Sequence, residues 1–351
     1  MSNNSTFAGN TSASSIYTQY LNVPSIQRSS LRLWFAIFLA LSLVGIINNG
    51  VLFLVIIRSR TLRSGAGVLI LHGIVNCFIT CAVHNPIVGV LIYGDNFWFA
   101  RPRDICKYVH FLLGLTQFAN NWAEASLAVN RLIAVIFPFA YKTWSTRKVT
   151  GMMIIICWAI SAACLIPYLF EAGGKFGPTD QGQCVVQMLS KLGSIPTVIA
   201  IYLPYGIVGL IAVAVFAFLT VRTVRGGRVD GPLRPGSPQS VSYRRRLAVT
   251  KMLLISFLFD MTCSVTQPMV QAAFPAFYAA SPLLRLWLRL WLAVQFPATP
   301  VILLAYSKEY RSHFWKWLQS LKAHFGVKHR VAPQNPSKTG VSISLPVDTR
   351  M

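Results

Sequence analysis

Apolar and polar positions along this chain alternate in long blocks. Seven apolar runs, at about 32–57, 66–93, 105–137, 149–171, 196–221, 247–274 and 283–306, are separated by shorter polar stretches. Each is longer than the ~20 residues an α-helix needs to cross ~30 Å of hydrocarbon. Prolines, glycines and asparagines interrupt the runs, which spanning helices tolerate because neighbouring helices satisfy the freed backbone groups. The pattern predicts an all-α fold, a seven-transmembrane helix bundle over 32–306. Residues 1–31 form a polar N-terminal tail without a basic-then-apolar leader, so the first run is expected to direct insertion. Residues 326–351 are expected to form a disordered tail.

Composition supports a membrane protein. Only 12% of residues are charged and 54% are hydrophobic, whereas soluble domains carry about 25% charged residues. The basic residues set the orientation. They gather after the odd-numbered runs: Arg58, Arg60 and Arg63; Lys142, Arg147 and Lys148; Arg222, Arg225, Arg228, Arg234 and Arg244–Arg246; then Lys308, Arg311, Lys316, Lys322, Lys328 and Arg330. The positive-inside rule makes that face cytoplasmic. The N-terminus is then extracellular, where Asn3, Asn4 and Asn10 sit in glycosylation sequons. A net charge of +23 is therefore read as affinity for anionic lipids on the cytoplasmic leaflet, at ~1 kcal/mol per cation, and not as a nucleic-acid surface. The stretch 222–246, rich in Gly, Pro, Ser and Arg, is expected to be disordered. Ser237, Ser240, Ser242, Ser312 and Ser320 lie among its basic residues and those of the tail, where phosphorylation would weaken lipid attraction.

The third run carries the most informative spacing. Arg131 lies near its cytoplasmic end, 25 residues after Cys106 and seven before Pro138. A helix puts Cys106 about 37 Å away, near the opposite membrane face. This arrangement resembles the third helix of class A, rhodopsin-like G-protein-coupled receptors, and the resemblance extends over about 40–320. Asn49 resembles the family's helix-one asparagine, Trp98 its first-outer-loop aromatic, and Trp158 its helix-four tryptophan. Pro204, Pro268 and Pro300 take the kink positions of helices five, six and seven. The stretch 307–325, beginning Ser307-Lys-Glu-Tyr-Arg, resembles an amphipathic eighth helix on the membrane surface. Several motifs depart from the family pattern. Asp-Arg-Tyr becomes Asn130-Arg131-Leu132, Asn-Pro-x-x-Tyr becomes Thr299-Pro300-Val-Ile-Leu303 with Tyr306 displaced, and Trp-x-Pro becomes Thr266-Gln267-Pro268. The helix-two acid is replaced at Asn76 or Cys77, which puts the family's sodium site in doubt. The segment 130–138, that around Trp158, and Phe257–Asp260 are most similar to the nematode serpentine receptor class X, a chemoreceptor-like branch.

Five cysteines, Cys77, Cys81, Cys157, Cys164 and Cys263, fall inside the runs as packing residues. Cys106 and Cys184 face the oxidising compartment and are expected to pair. No His/Cys cluster has metal spacing, and no cofactor is expected: the seventh run has no lysine for a retinal Schiff base.

An arginine at the depth of Arg131 either snorkels to headgroups or alternates between an internal partner and an incoming G protein. The resemblance assigns the second role, with Asn130, Pro138, Tyr141, Thr299, Pro300 and Tyr306 around it. The family's usual acidic partners are missing, since position 130 is Asn and the sixth run begins Arg246-Leu-Ala-Val-Thr250, so the resting state is expected to be weakly latched. Glu124 and Asp260 are the acids deep in the bundle, read with Asn49, Asn76 and Asn120 as an internal polar network; Asn120 or Asn121 could satisfy Glu124. Arg289, eleven residues before Pro300, lies about 16 Å further out. There it either snorkels, as Arg285 does, or offers a bidentate donor to an anionic ligand. His110, Leu113 and Gln117 would face it at helical spacing, with Tyr202 and Gln267 as further ligand contacts; His84, Trp287 and Trp291 rank below them.

The resemblance implies a receptor, not an enzyme, in the plasma membrane. An extracellular small molecule or peptide would act through it on a cytoplasmic heterotrimeric G protein, in a chemosensory setting. A multi-pass transporter or channel, or a signalling-silent scaffold, would be the alternatives; no internal repeat favours a transporter.

Overall fold

The computed structural model describes residues 25–63, 67–95, 103–137, 141–178, 184–229 and 238–325. The sequons at Asn3, Asn4 and Asn10, together with Trp98, Pro138, Ser237 and the tail 326–351, lie outside these residues. Among the described residues, seven long helical passages form an antiparallel bundle. The first is Ser25–Arg58 and the second runs from Gly67 to Asp95 through a wide turn at Thr80–His84. Arg103–Ile136 and Arg147–Leu169 are the third and fourth. The fifth ends in Leu203–Val229, the sixth is Pro238–Ala273 and the seventh Pro282–Tyr306. A surface helix, Lys308–Phe325, follows. Five of the passages are long and apolar enough to cross a membrane by length and composition. The third, at 34 residues, is long enough but carries the polar side chains of the interior.

The chain is apolar outside as well as within. Leu210 is 75% exposed and Ile155 69% exposed, as expected where the surrounding solvent is lipid. The stretch 222–246, expected to be disordered, is largely helical: the fifth helix continues to Val229 and the sixth begins at Pro238. Arginine is a good helix former, and a helix already nucleated in the membrane extends at little cost.

Two of the prolines in the bundle helices are each answered by an asparagine. Pro300 has no N–H, so the carbonyl four residues earlier, that of Phe296, loses its helical partner. Asn49 Nδ2 on the first helix donates to that carbonyl at 3.1 Å, and to Gly45 O at 2.8 Å. Pro204 likewise frees the carbonyl of Ala200, and Asn121 Nδ2 on the third helix donates to it at 3.2 Å. The fifth helix widens just before this proline, at Val198–Tyr202. Close packing complements these bonds. A Cβ on Gly45 would overlap Cys81 Sγ, so the first and second helices meet where only glycine fits.

Outside the bundle, β1 (Gly174–Pro178) and β2 (Cys184–Met188) pair antiparallel, with Pro178 opposite Cys184. The apolar-run pattern did not predict this hairpin. Cys184 is disulfide-bonded to Cys106 at the head of the third helix, with a Cα–Cα distance of 5.2 Å. Phe176 packs on Tyr168, whose hydroxyl donates to Gly193 O at 2.6 Å. The hairpin is therefore tied to the third and fourth helices and roofs the outer end of the bundle.

Candidate functional site

The third helix lines two cavities, one facing out and one facing in. The outer cavity has a volume of about 330 Å³ and lies under β2. His110, Leu113 and Gln117 are on its third-helix wall and Arg289 is on its seventh-helix wall, as their spacing suggests. His84 lines it too, and both histidines are within electrostatic reach of Arg289. The described lining residues include no Asp or Glu, so the guanidinium is the one fixed charge among them. Two of the expected contacts lie elsewhere. Tyr202 is 49% exposed on the outer surface of the fifth helix, because the wide turn before Pro204 shifts the residues facing inward. Gln267 Nε2 donates to the Tyr278 hydroxyl at 3.2 Å beside the cavity.

At the floor of this cavity is a node centred on Asn121. Its Oδ1 accepts from Gln117 Nε2 and from the Tyr205 hydroxyl, both at 3.3 Å, while its Nδ2 holds the Ala200 carbonyl. One amide thus joins the cavity wall to the kink of the fifth helix. Ser264 on the sixth helix, also lining the cavity, donates to Gln295 Oε1 on the seventh at 2.7 Å. Tyr205 and Ser264 were not singled out from the sequence. A tyrosine one residue after Pro204 is, in retrospect, the available signal.

Below the node, Glu124 and Asp260 line two small inner cavities, of about 90 and 70 Å³. Asn120 Nδ2 donates to Glu124 Oε1 at 2.9 Å, and Ser256 Oγ is 3.4 Å from Asp260 Oδ2. The second oxygen of each carboxyl group is buried with no partner among the described residues. Thr299 borders one of these cavities, with its hydroxyl donating to Gln295 O at 2.9 Å. Asn76 is fully buried and reaches His72 Nε2 at 3.4 Å, which also accepts from Trp158 Nε1 at 3.0 Å.

Arg131 lines the larger inner cavity together with Glu124 and Asp260, and its Nε has no partner among the described residues. Tyr141, Glu309 and Tyr310 lie within electrostatic reach of its charge. The family's usual acidic partners are absent at 130 and at the start of the sixth run, and the acid that comes within reach is Glu309 of the surface helix. Tyr306 is exposed, and the tyrosines within reach of Arg131 are Tyr141 and Tyr310. Burial pushes the Tyr310 phenol up to about 12, with the Arg131 charge pulling it the other way. Asn130 is fully buried, and neither amide atom has a partner among the described residues.

Comparison with known proteins agrees with this geometry. The sequence profile of the seven-transmembrane receptors (rhodopsin family) matches residues 48–292. Among curated relatives, a Gq-coupled rhodopsin of Mizuhopecten yessoensis is 24% identical over 185 residues, covering 52% of this chain and 37% of the relative. The human melatonin receptor type 1B is 22% identical over 187 residues, with coverage of 53% and 49%. The human galanin receptor type 2 is 29% identical over 135 residues, with coverage of 38% and 34%. The matches span half or less of these relatives' lengths. The crystal structure of squid rhodopsin superposes with a TM-score of 0.70 at 13% identity, covering 84% of this chain and 87% of that one. The profile match spans well over half of the chain, and the fold and disulfide accord with it: this protein belongs to the rhodopsin family of seven-transmembrane receptors, multi-pass membrane proteins that are receptors and not enzymes.

Proposed function

We propose that this chain is a plasma-membrane receptor, N-terminus outside, in which an anionic extracellular ligand binds beneath β2 and activates a cytoplasmic heterotrimeric G protein through Arg131. The carrying observation is that one helix lines both the Arg289 cavity and the Arg131 cavity, with Asn121 between them. A carboxylate or phosphate of a small molecule or peptide terminus would pair with Arg289, where the planar guanidinium offers two parallel donors. Contact with Gln117 or Tyr205 would disturb the Asn121 node and so the Ala200 carbonyl that it holds. Such a ligand shifts the equilibrium only by its difference in affinity for the two states. A chemosensory role rests on the likeness of 130–138 to nematode serpentine receptors.

The test is expression of the intact chain, Arg131→Ala and Arg289→Ala, at matched surface levels, in cells carrying G-protein activation reporters. The intact chain is expected to signal without ligand and Arg131→Ala to lose that signal. Arg289→Ala is expected to keep it while losing tenfold or more in potency toward an anionic agonist. Basal signal equal to that of mock-transfected cells would count against the weak latch, and unchanged anionic potency in Arg289→Ala would remove the ligand assignment.

A further inference from the structure

We propose that the groove between the inner end of the first helix and the surface helix Lys308–Phe325 binds the monoester phosphate of an anionic phospholipid headgroup. The groove is open and has a volume of about 960 Å³. Its walls are Arg58, Arg60 and Thr61 on one side and His313, Lys316 and Ser320 on the other. The surface-helix residues recur at three- and four-residue spacing, so one stripe of that helix faces the groove. No acid is among the described lining residues.

Three features distinguish this groove from a general basic surface. The Ser59 hydroxyl lies 2.8 Å from that of Thr61, and His313 Nε2 lies 3.5 and 3.3 Å from the two. This bracket fastens the basic turn to the surface helix, so that cations from two elements are held around one space. Secondly, Trp317 lines the groove, and its buried indole N–H has no acceptor among the described residues. A buried donor without an acceptor is costly, and a ligand oxygen admitted by a small movement of the ring would satisfy it. Thirdly, the groove has apolar walls in Val55 and Leu321. Tyr310 and Trp317 pack on the cluster of Leu52, Val55, Ile56 and Leu62, which sets the helix at the inner membrane surface.

The chemistry follows from charge and depth. A phosphodiester carries one negative charge, fewer than the three cations Arg58, Arg60 and Lys316 can neutralise. A monoester phosphate carries about −1.5 to −2 with three acceptor oxygens, which suits two forked guanidiniums and an ammonium. The apolar walls at headgroup depth suit the glycerol and upper acyl carbons, which a free phosphate ion lacks. An occupant here would brace the surface helix that carries Glu309 and Tyr310 toward Arg131.

The test uses the detergent-purified full chain and native mass spectrometry. The probes are phosphatidylinositol monophosphate, phosphatidylinositol and phosphatidylserine at equal concentration, with and without millimolar inorganic phosphate. The monophosphate is expected to be retained in preference to both diesters and to resist free phosphate. Arg60→Gln/Lys316→Gln is expected to weaken its retention by about thirtyfold, given the attraction of each of the two cations near an anionic headgroup. The control Arg147→Gln/Lys148→Gln, which removes equal charge from exposed positions at the start of the fourth helix, is expected to weaken retention far less, because those residues do not line the groove. Equal losses in the two double variants would show a non-specific charge effect and overturn the site. Equal retention of monophosphate and diesters would overturn the monoester assignment, and displacement by inorganic phosphate would overturn the lipid as its source. All four exchanged residues are exposed, so the fold is expected to survive, and thermal melting of each variant checks this.

Discussion

Asn49 and Pro300 are expected to be energetically coupled although they lie on different helices. Asn49 is 0% exposed, and its amide donates to two carbonyls. In Asn49→Ala the Gly45 carbonyl keeps the helical bond from the backbone N–H of residue 49. The Phe296 carbonyl does not, because residue 300 is proline. An orphaned buried acceptor costs ~1–3 kcal/mol, while hydrogen bonds between membrane helices average ~0.6 kcal/mol in double-mutant cycles. A loss of ~1–2 kcal/mol is therefore expected, most of it at one carbonyl. Pro300→Ala restores a peptide N–H four residues after Phe296, so Asn49→Ala should cost less in that background, giving a coupling of ~1 kcal/mol. The five free cysteines are all buried, so a thiol-reactive dye reports unfolding of the purified receptor as it is heated. Two-state treatment of the four melting curves gives the cycle. Costs that add within ~0.5 kcal/mol, the usual agreement for independent sites, would refute the carbonyl argument. So would an Asn49→Ala protein melting with the parent.

Two further outcomes are expected. Gly45→Val should lower the melting temperature, because its side chain would run into Cys81 Sγ; overpacking of this kind costs ~1–3 kcal/mol, and an unchanged melt would show that the first and second helices separate freely. Tyr310 should make docking of the surface helix sensitive to alkali. Its folded phenol is pushed to about 12 from an ordinary 10, so the undocked state loses its proton first. Docking is then constant below about pH 10 and weakens between 10 and 12. Tryptophan fluorescence should show that step in the parent and lack it in Tyr310→Phe; an identical step in both would assign it to another group.

Much of the site's composition was legible from spacing. Cys106, His110, Leu113 and Gln117 follow one another at three- and four-residue intervals on a helix, so a single face could be inferred. Arg289 could be counted outward from Pro300. What spacing could not supply was the rotation of each helix about its axis. The wide turn at Val198–Tyr202 rotates the fifth helix, sending Tyr202 to the surface and leaving Tyr205 under the cavity. Glu309 and Tyr310 were readable only as residues of an amphipathic helix, because their proximity to Arg131 depends on how that helix turns back under the bundle.

Local chemistry therefore determined the class of object. Apolar runs long enough to cross a membrane, cations concentrated on one face, and an arginine set between a cysteine and a proline all follow from hydrophobic transfer, lipid electrostatics and helical rise. Each acts on a residue and its near neighbours along the chain. Tertiary structure alone decided the pairings: Asn49 with the carbonyl freed by Pro300, Asn121 with the one freed by Pro204, and the roofing of the outer cavity by β2. A freed carbonyl can be located in a sequence, but the donor that meets it lies on another helix, about 80 to 250 residues away, and only packing brings it there.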